Sequence, residues 1–368
     1  MSLSKNYLLE CLAADKKTTI PLKEQCLPKI AIRLCLYSEL RNYIFRAPQQ
    51  NLQASNWEQR NFEELSKIII NILILPSDLH EKLLSFIHSV KRQLIFWINH
   101  LEKFTISHDI SASVVTPGDW TVEGIINARG IAKRLVIDGR IPVFHRYRIA
   151  CSYSLENSIV SLWNLIPPAH QQALVRPSDT REFWVITVWS HYLSGLKTKQ
   201  ECLFDSFLLA AIGGEITTMI HCCKALDKSS RQNKVINAAL VAVQGIYCNS
   251  FSLEMSSDES QMLLLSYTDI LCILLSQMTS EERLSFFRRV LYLEHFPEHD
   301  HCILESFLQQ PFQSIFMPLI TELKNILNVQ VFHRLHAKIA NMKNCCFDKN
   351  AFECLGKDIE KNVSLYVS

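Results

Sequence analysis

Nine glycines in 368 residues narrow the folds open to this chain more than any other feature. Average usage of about 7% would give roughly three times as many. Glycine is the residue that supplies left-handed turns and lets backbone approach a phosphate or a neighbouring strand. Here the glycines are scattered at Gly118, Gly124, Gly130, Gly139, Gly195, Gly213, Gly214, Gly245 and Gly356, and no GxGxxG or GxxxxGK[ST] can be written from them. Nucleotide-binding α/β folds are thereby disfavoured, and helices joined by short polar turns become the leading expectation.

Hydropathy patterning supports that expectation along the chain. "KIAIRLCLYSELRNYIF" (29–45) carries apolar residues at helical spacing. "NFEELSKIIINILILP" runs to Pro76, after which Ser77 or Asp78 can cap "LHEKLLSFIHSVKRQLIFWINHLEKF", giving an N-terminal helical hairpin region over 1–104. Residues 105–119, "TISHDISASVVTPGD", read as a linker and the main domain boundary. From Trp120 to Ser368 the pattern is of shorter, well-punctuated helices. Ile125, Ala128, Ala132, Leu135 and Val136 form one apolar face, ended by Gly139, and Pro142 suits the next helix start. Asp179 with Glu182, and Thr279 with Glu282, are cap-like starts; Gly195 is a fitting end.

At 48% apolar and 20% charged residues the composition is that of an ordered chain. The net charge of +2 supplies no global field for nucleic acid or an anionic membrane. Thirteen cysteines, an odd number mostly set in apolar helical patterns, point to free thiols in a reducing, cytoplasmic setting, and the N-terminus lacks the pattern of a secretion signal. "IIINILILP" (68–76) is too short to span a bilayer and 261–278 carries Asp269 at its middle, so both are expected to be buried helices rather than membrane spans.

A shift of 60 residues aligns Tyr147 with Phe207, Ala150 with Ala210, Cys151 with Ala211, Ile159 with Met219, Leu162 with Cys222 and Ile166 with Leu226. Size and apolarity agree at each pair, and the small residues suit close helix packing. "RIACSYSLENSIVSLWNLI" and "LLAAIGGEITTMIHCC" resemble the ankyrin helix pair, although the TPLH turn and the 33-residue spacing are missing and Leu155 stands where that turn's glycine belongs. The stretch Trp120–Pro167 also resembles lineage-expanded arthropod helical proteins carrying an IACxYxLExxIxxLW-like segment. These resemblances imply a repeat-like, all-α fold, an irregular array of antiparallel helix pairs of α-solenoid or ankyrin-like type, and bring no activity with them.

Three constellations could carry chemistry. Cys151 has His145 and His170 near it in sequence, but a separation of six places Cys151 and His145 on unlike faces of one helix, and an apolar setting keeps a thiol protonated. "HFPEHDHC" (295–302) offers His295, Glu298, His299, Asp300, His301 and Cys302 as ligands, yet Pro297 opposes the helix that would align the histidines, and no CxxC exists. The simpler reading is a polar turn in which Asp300 caps the following helix, with no metal and no cofactor; His333 and His336 add only a remote pair.

The third constellation is basic: Arg129, Lys133, Arg134, Arg140, Arg146 and Arg148, against Asp138 as the one acid between Gly124 and Leu155. Such a run can grip phosphates or nucleic acid, but it is also what the solvated face of amphipathic helices looks like. The tryptophans Trp57, Trp97, Trp120, Trp163, Trp184 and Trp189 sit in or beside apolar helices and read mainly as core. With no catalytic motif recovered, the leading reading is a non-enzymatic intracellular scaffold for a protein partner. An enzyme with a non-motif Cys/His or metal site, and a nucleic-acid or phosphate binder using 129–148, are the alternatives.

Overall fold

The computed structural model describes residues 22–37, 39–46, 55–102, 104, 114–120, 126–176, 181–251, 258–291, 300–308, 312–327, 329–341 and 352–354. The protein is all-α, as expected: among the described residues the only bridge between extended segments joins Trp120 and Ile126. Two compact units divide the chain, residues 19–209 with 217–225 in the first and 210–216 with 226–368 in the second.

The first unit begins with α1 (Leu22–Tyr37), α2 (Leu40–Arg46), α3 (Ser55–Ile72) and α4 (His80–Glu102). In α4 the buried residues Leu83, Ile87, Val90, Leu94, Trp97 and Leu101 follow one another in alternating steps of four and three. That spacing keeps one stripe aligned over the whole helix, and both α1 and α3 pack on α4. The long helix begins at His80 because Ser77–Leu79 form a 3-10 turn behind Pro76.

The tail of α3 departs from its expected burial. The helix stops at Ile72, and Ile68, Ile72 and Ile74 are 56%, 75% and 104% exposed. The cause is register. Phe62, Ser66 and Ile70 are buried at steps of four, so Ile68 and Ile72, two residues away from Ser66 and Ile70, fall on another face, and Ile74 lies beyond the helix end.

Of the interval 105–119, residues 114–119 belong to the first unit, and residues 105–113 fall outside the described residues. Its end is tightly organised. Thr116 donates from its amide and its hydroxyl to Asp119 Oδ2 at 2.7 and 2.8 Å, and the turn Pro117–Asp119 packs against α1 and against α5 (Ala128–Leu135).

After α5, capped by Asn127 accepting from the Gly130 amide at 2.9 Å, come α6 (Val143–Ser152), α7 (Glu156–Trp163), α8 (Pro168–Val175), α9 (Arg181–Leu193), α10 (Lys199–Gly213) and α11 (Ile216–Ala225). α6 packs on α5, α7 and α9, and α8 packs on α9. α9 ends as its glycine suggests: Gly195 is left-handed at φ 75° and the Leu196 amide reaches back to His191 O at 2.8 Å. Asp179 lies outside the described residues.

The positions aligned by the 60-residue shift share burial and turn geometry. Tyr147 and Phe207, Cys151 and Ala211, Ile159 and Met219, and Leu162 and Cys222 are all buried. The Leu155 amide donates to Ala150 O at 2.9 Å, and the Glu215 amide to Ala210 O at 2.8 Å. The left-handed residues are Ser154 (φ 48°) and Gly214 (φ 74°), also 60 apart, so the turn position belongs to Ser154 rather than to Leu155.

In the second unit α12 (Lys228–Phe251) packs along α13 (Asp258–Ser276). A Cβ on Gly245 would stand 2.5 Å from the Tyr267 ring, so glycine permits the close approach there. The expected burial of the 261–278 stretch holds: Ile270, Leu271, Cys272, Leu274 and Leu275 are fully buried. α14 (Ser280–Leu291) opens on the anticipated reciprocal cap, with the Thr279 amide donating to Glu282 Oε2 at 2.8 Å and the Glu282 amide to Thr279 Oγ1 at 3.3 Å. α15 (Asp300–Ser306), α16 (Gln313–Leu323) and α17 (Val329–Ala340) complete the unit. Arg283, buried, donates to both Glu322 carboxylate oxygens and to Leu275 O and Met278 O, which fastens α14 to α16 and to the end of α13. No helix among the described residues is long and apolar enough to cross a membrane.

Candidate functional site

The six cations of the 129–148 stretch are placed by α5, its following turn and α6, and four of them meet local partners. Arg134 Nη2 donates to Val114 O at 2.8 Å and pairs with the buried Asp119 at 2.6 Å. Arg140 forms two-pronged bonds to Asp138, two residues earlier, and holds that carboxyl low, at about 2. Arg146 reaches Val136 O at 3.5 Å, and Arg148 is buried with its guanidinium 5.6 Å from the centre of the Phe104 ring. These four therefore serve the fold around them.

Arg129 and Lys133 differ from the rest. Arg129 is half-buried and clamps the α6–α7 turn, donating to Tyr153 O at 3.0 Å and Ser154 O at 3.2 Å. Since Ser154 is a left-handed non-glycine residue, those bonds help hold a conformation that costs a side-chain-bearing residue energy. Lys133, one turn along the same face, is exposed.

Several thiols of this unit are buried. Cys151, Cys202 and Cys222 lie in the core, with Cys222 Sγ donating to Ser154 Oγ at 3.4 Å and Cys202 Sγ to Val188 O at 3.7 Å. Burial pushes Cys202 up to about 12, Cys222 up to about 11, and Cys151 well above its ordinary value. At neutral pH such groups stay protonated, and the thiolate is the nucleophile. Tyr147 and Ser190 share a hydrogen bond at 3.2 Å in the same region, and burial raises the Tyr147 phenol as well. His145, partly exposed, is held below its ordinary range by burial and then by Arg148.

Of the 295–302 segment, His295, Glu298 and His299 lie outside the described residues, and Asp300 is the first residue of α15. Among the described residues no three His, Cys, Asp or Glu side chains gather as metal ligands. His333 and His336 flank Phe332, and His336 stacks on Phe352.

Two tryptophans, Trp97 and Trp189, are core residues, and Trp163 packs on Tyr147 with ring centres 5.7 Å apart. Trp184 is exposed, at 42%. The side chain of Trp57 lies outside the described residues. Further large apolar side chains surface nearby in sequence, Val160 and Leu165 at 45% and 63% and Leu196 at 65%, while α8 between them buries no residue.

Sequence spacing gave no sign of one further cluster. Lys199 Nζ meets Glu156 Oε2 at 2.5 Å, and His221 lies where Arg129, Lys133, Lys199 and Glu156 all act on it. The members come from four helices separated by as many as 92 residues (129 to 221), so only the fold assembles them. Compared with protein-family models, with curated proteins and with solved structures, the chain matches none.

Proposed function

We propose that this protein is a non-enzymatic, intracellular scaffold that binds a protein partner through an array of paired helices. The observation that carries the reading is a set of surface apolar side chains between Val160 and Leu196: Leu165, Trp184 and Leu196 are exposed, and α8, which lies between Leu165 and Trp184 in sequence, buries no residue. Large apolar groups at a surface, aromatic ones above all, are what protein interfaces use as anchors.

Two further features support it. The α6–α7 and α10–α11 segments share a small residue, a left-handed turn and a buried stripe at an offset of 60, in keeping with an ankyrin-like pair used more than once. The buried thiols with raised pKa speak against the Cys151-centred enzyme.

The test is affinity capture from cells expressing the tagged chain, comparing wild type with a Trp184→Ala/Leu196→Ser double variant of unchanged thermal stability. A partner set that is lost in the variant supports the reading. Capture at background level with wild type, or a partner set untouched by the double change, refutes it.

A further inference from the structure

The first turns of α5 and α11 meet in the first unit, where the Arg129 amide donates to Thr217 Oγ1 at 3.3 Å. Residues four apart share a helix face, so Arg129 and Lys133 project from α5, and Thr217 and His221 from α11, toward one region. Lys199 enters it from the start of α10, held by Glu156 from the first turn of α7. Three permanent cations therefore surround a single carboxylate and one imidazole.

That arrangement leaves three things unspent. Arg129 uses one N–H of Nε and one of Nη2 on the Tyr153 and Ser154 carbonyls, and three of its five guanidinium N–H groups have no acceptor among the described residues. Lys133 has no ion-pair partner among the described residues. His221 Nε2 is buried and makes no hydrogen bond, although buried polar atoms are ordinarily partnered. Unused donors of Arg129 and Lys133 and an excess of positive charge meet at one place, and an acceptor carrying negative charge satisfies both. A tetrahedral oxyanion offers several acceptor oxygens at once and suits the planar Arg fork.

We propose that Arg129, Lys133, Lys199 and His221 form a binding site for a phosphate-class dianion, whether free phosphate or a phosphomonoester group. Arg129 is the rigid member, fixed by the turn it clamps. Lys133 and Lys199 supply charge from the rim, and His221 is the buried polar wall of the site, its Nε2 without a hydrogen-bond partner. Burial, and next the Arg129 charge, hold the empty-site imidazole below its ordinary range, and an anion seated beside it opposes that shift. The site stands apart from the scaffold reading, since a chain that captures no protein can still hold an anion.

Calorimetric titration of the full chain with sodium phosphate, at ionic strength held constant with sodium chloride, tests the site. Saturable one-to-one binding is expected, with a rise in melting temperature that chloride alone does not give. Lys133→Gln should weaken phosphate about tenfold, the loss of about 1.4 kcal/mol of charge-assisted bonding, and His221→Leu should weaken it as well. Arg140→Gln should change nothing, because Arg140 is paired with Asp138 and is not among the charges that act on His221. Arg129 is left intact because its loss would release the turn. Displacement of phosphate by O-phosphoserine identifies a site open to monoesters, and failure to displace it identifies a site for the free anion; either supports the proposal. A response indistinguishable from chloride, or full affinity in both Lys133→Gln and His221→Leu, overturns it.

Discussion

Gly245 is the position where the smallest change should be felt most clearly. A methyl placed on its Cα would stand 2.5 Å from Cδ1 and Cε1 of Tyr267 and 2.6 Å from Cγ. Ordinary carbon contacts lie at about 3.5–4.0 Å, so roughly 1 Å of separation must be found. The ring cannot simply swing aside. Its hydroxyl donates to Ile212 O at 2.6 Å and only 8% of the residue is exposed. Overpacking of this kind costs about 1–3 kcal/mol. Alanine returns something like 1 kcal/mol through its better helix propensity. With an overlap of about 1 Å against a tethered ring the upper part of that range applies, about 2–3 kcal/mol, so the balance for Gly245→Ala is a destabilisation of about 1–2 kcal/mol, which lowers the melting temperature by about 3–6 °C for a unit of this size. Urea unfolding followed by circular dichroism, with midpoint and slope fitted separately, measures it. A Tyr267→Leu change made in the Gly245→Ala background should cost less than in wild type, because the clash it would relieve is absent from wild type. A Gly245→Ala protein as stable as wild type, or more so, would refute the close α12–α13 approach.

Other expectations follow from single interactions. Arg283→Met should cost about 3 kcal/mol in urea unfolding, since it strands Glu322 and two carbonyls, and Arg283→Met/Glu322→Leu should recover much of that loss; equal losses in single and double variants would contradict the pairing. Thr279→Ala removes the α14 cap and should cost about 1 kcal/mol by the same assay, with no change signalling an idle cap. At pH 7.5 the exposed Cys26, Cys248 and Cys354 should react quickly with a thiol reagent, while Cys151, Cys202 and Cys222 should label only on unfolding. Mass mapping of the labelled peptides checks this, and fast native labelling of Cys151 would reopen the enzyme reading.

What could be read from the sequence was local. The stripe along α4, the Thr279/Glu282 cap and the Gly195 stop are set by neighbours within a turn or two, and hydropathy or turn chemistry reports them directly. The 60-residue correspondence was visible because burial constrains size at each paired position. Ile68, Ile72 and Ile74 could not be assigned by hydropathy, since an apolar run reports a taste for burial and not which face of α3 receives it. The basic run has the same limit. Arg134 is taken by Asp119, an acid 15 residues earlier, and Arg140 by its near neighbour Asp138, so a count of charges along the chain overstated the free ones. The Arg129, Lys133, Lys199 and His221 cluster was invisible because its members meet only after α5, α7, α10 and α11 have packed. The Ser, Thr and Pro content of the interval 105–119 marks a break in helix, and at its end that content encodes the Thr116/Asp119 turn.

The scaffold reading is tested most directly by quantitative affinity capture of wild type beside Trp184→Ala/Leu196→Ser, both confirmed folded by their melting temperatures. The expected result is a reproducible protein partner enriched by wild type and reduced to background by the double variant. Equal recovery of every captured protein by the two chains, or none above background by wild type, would contradict it.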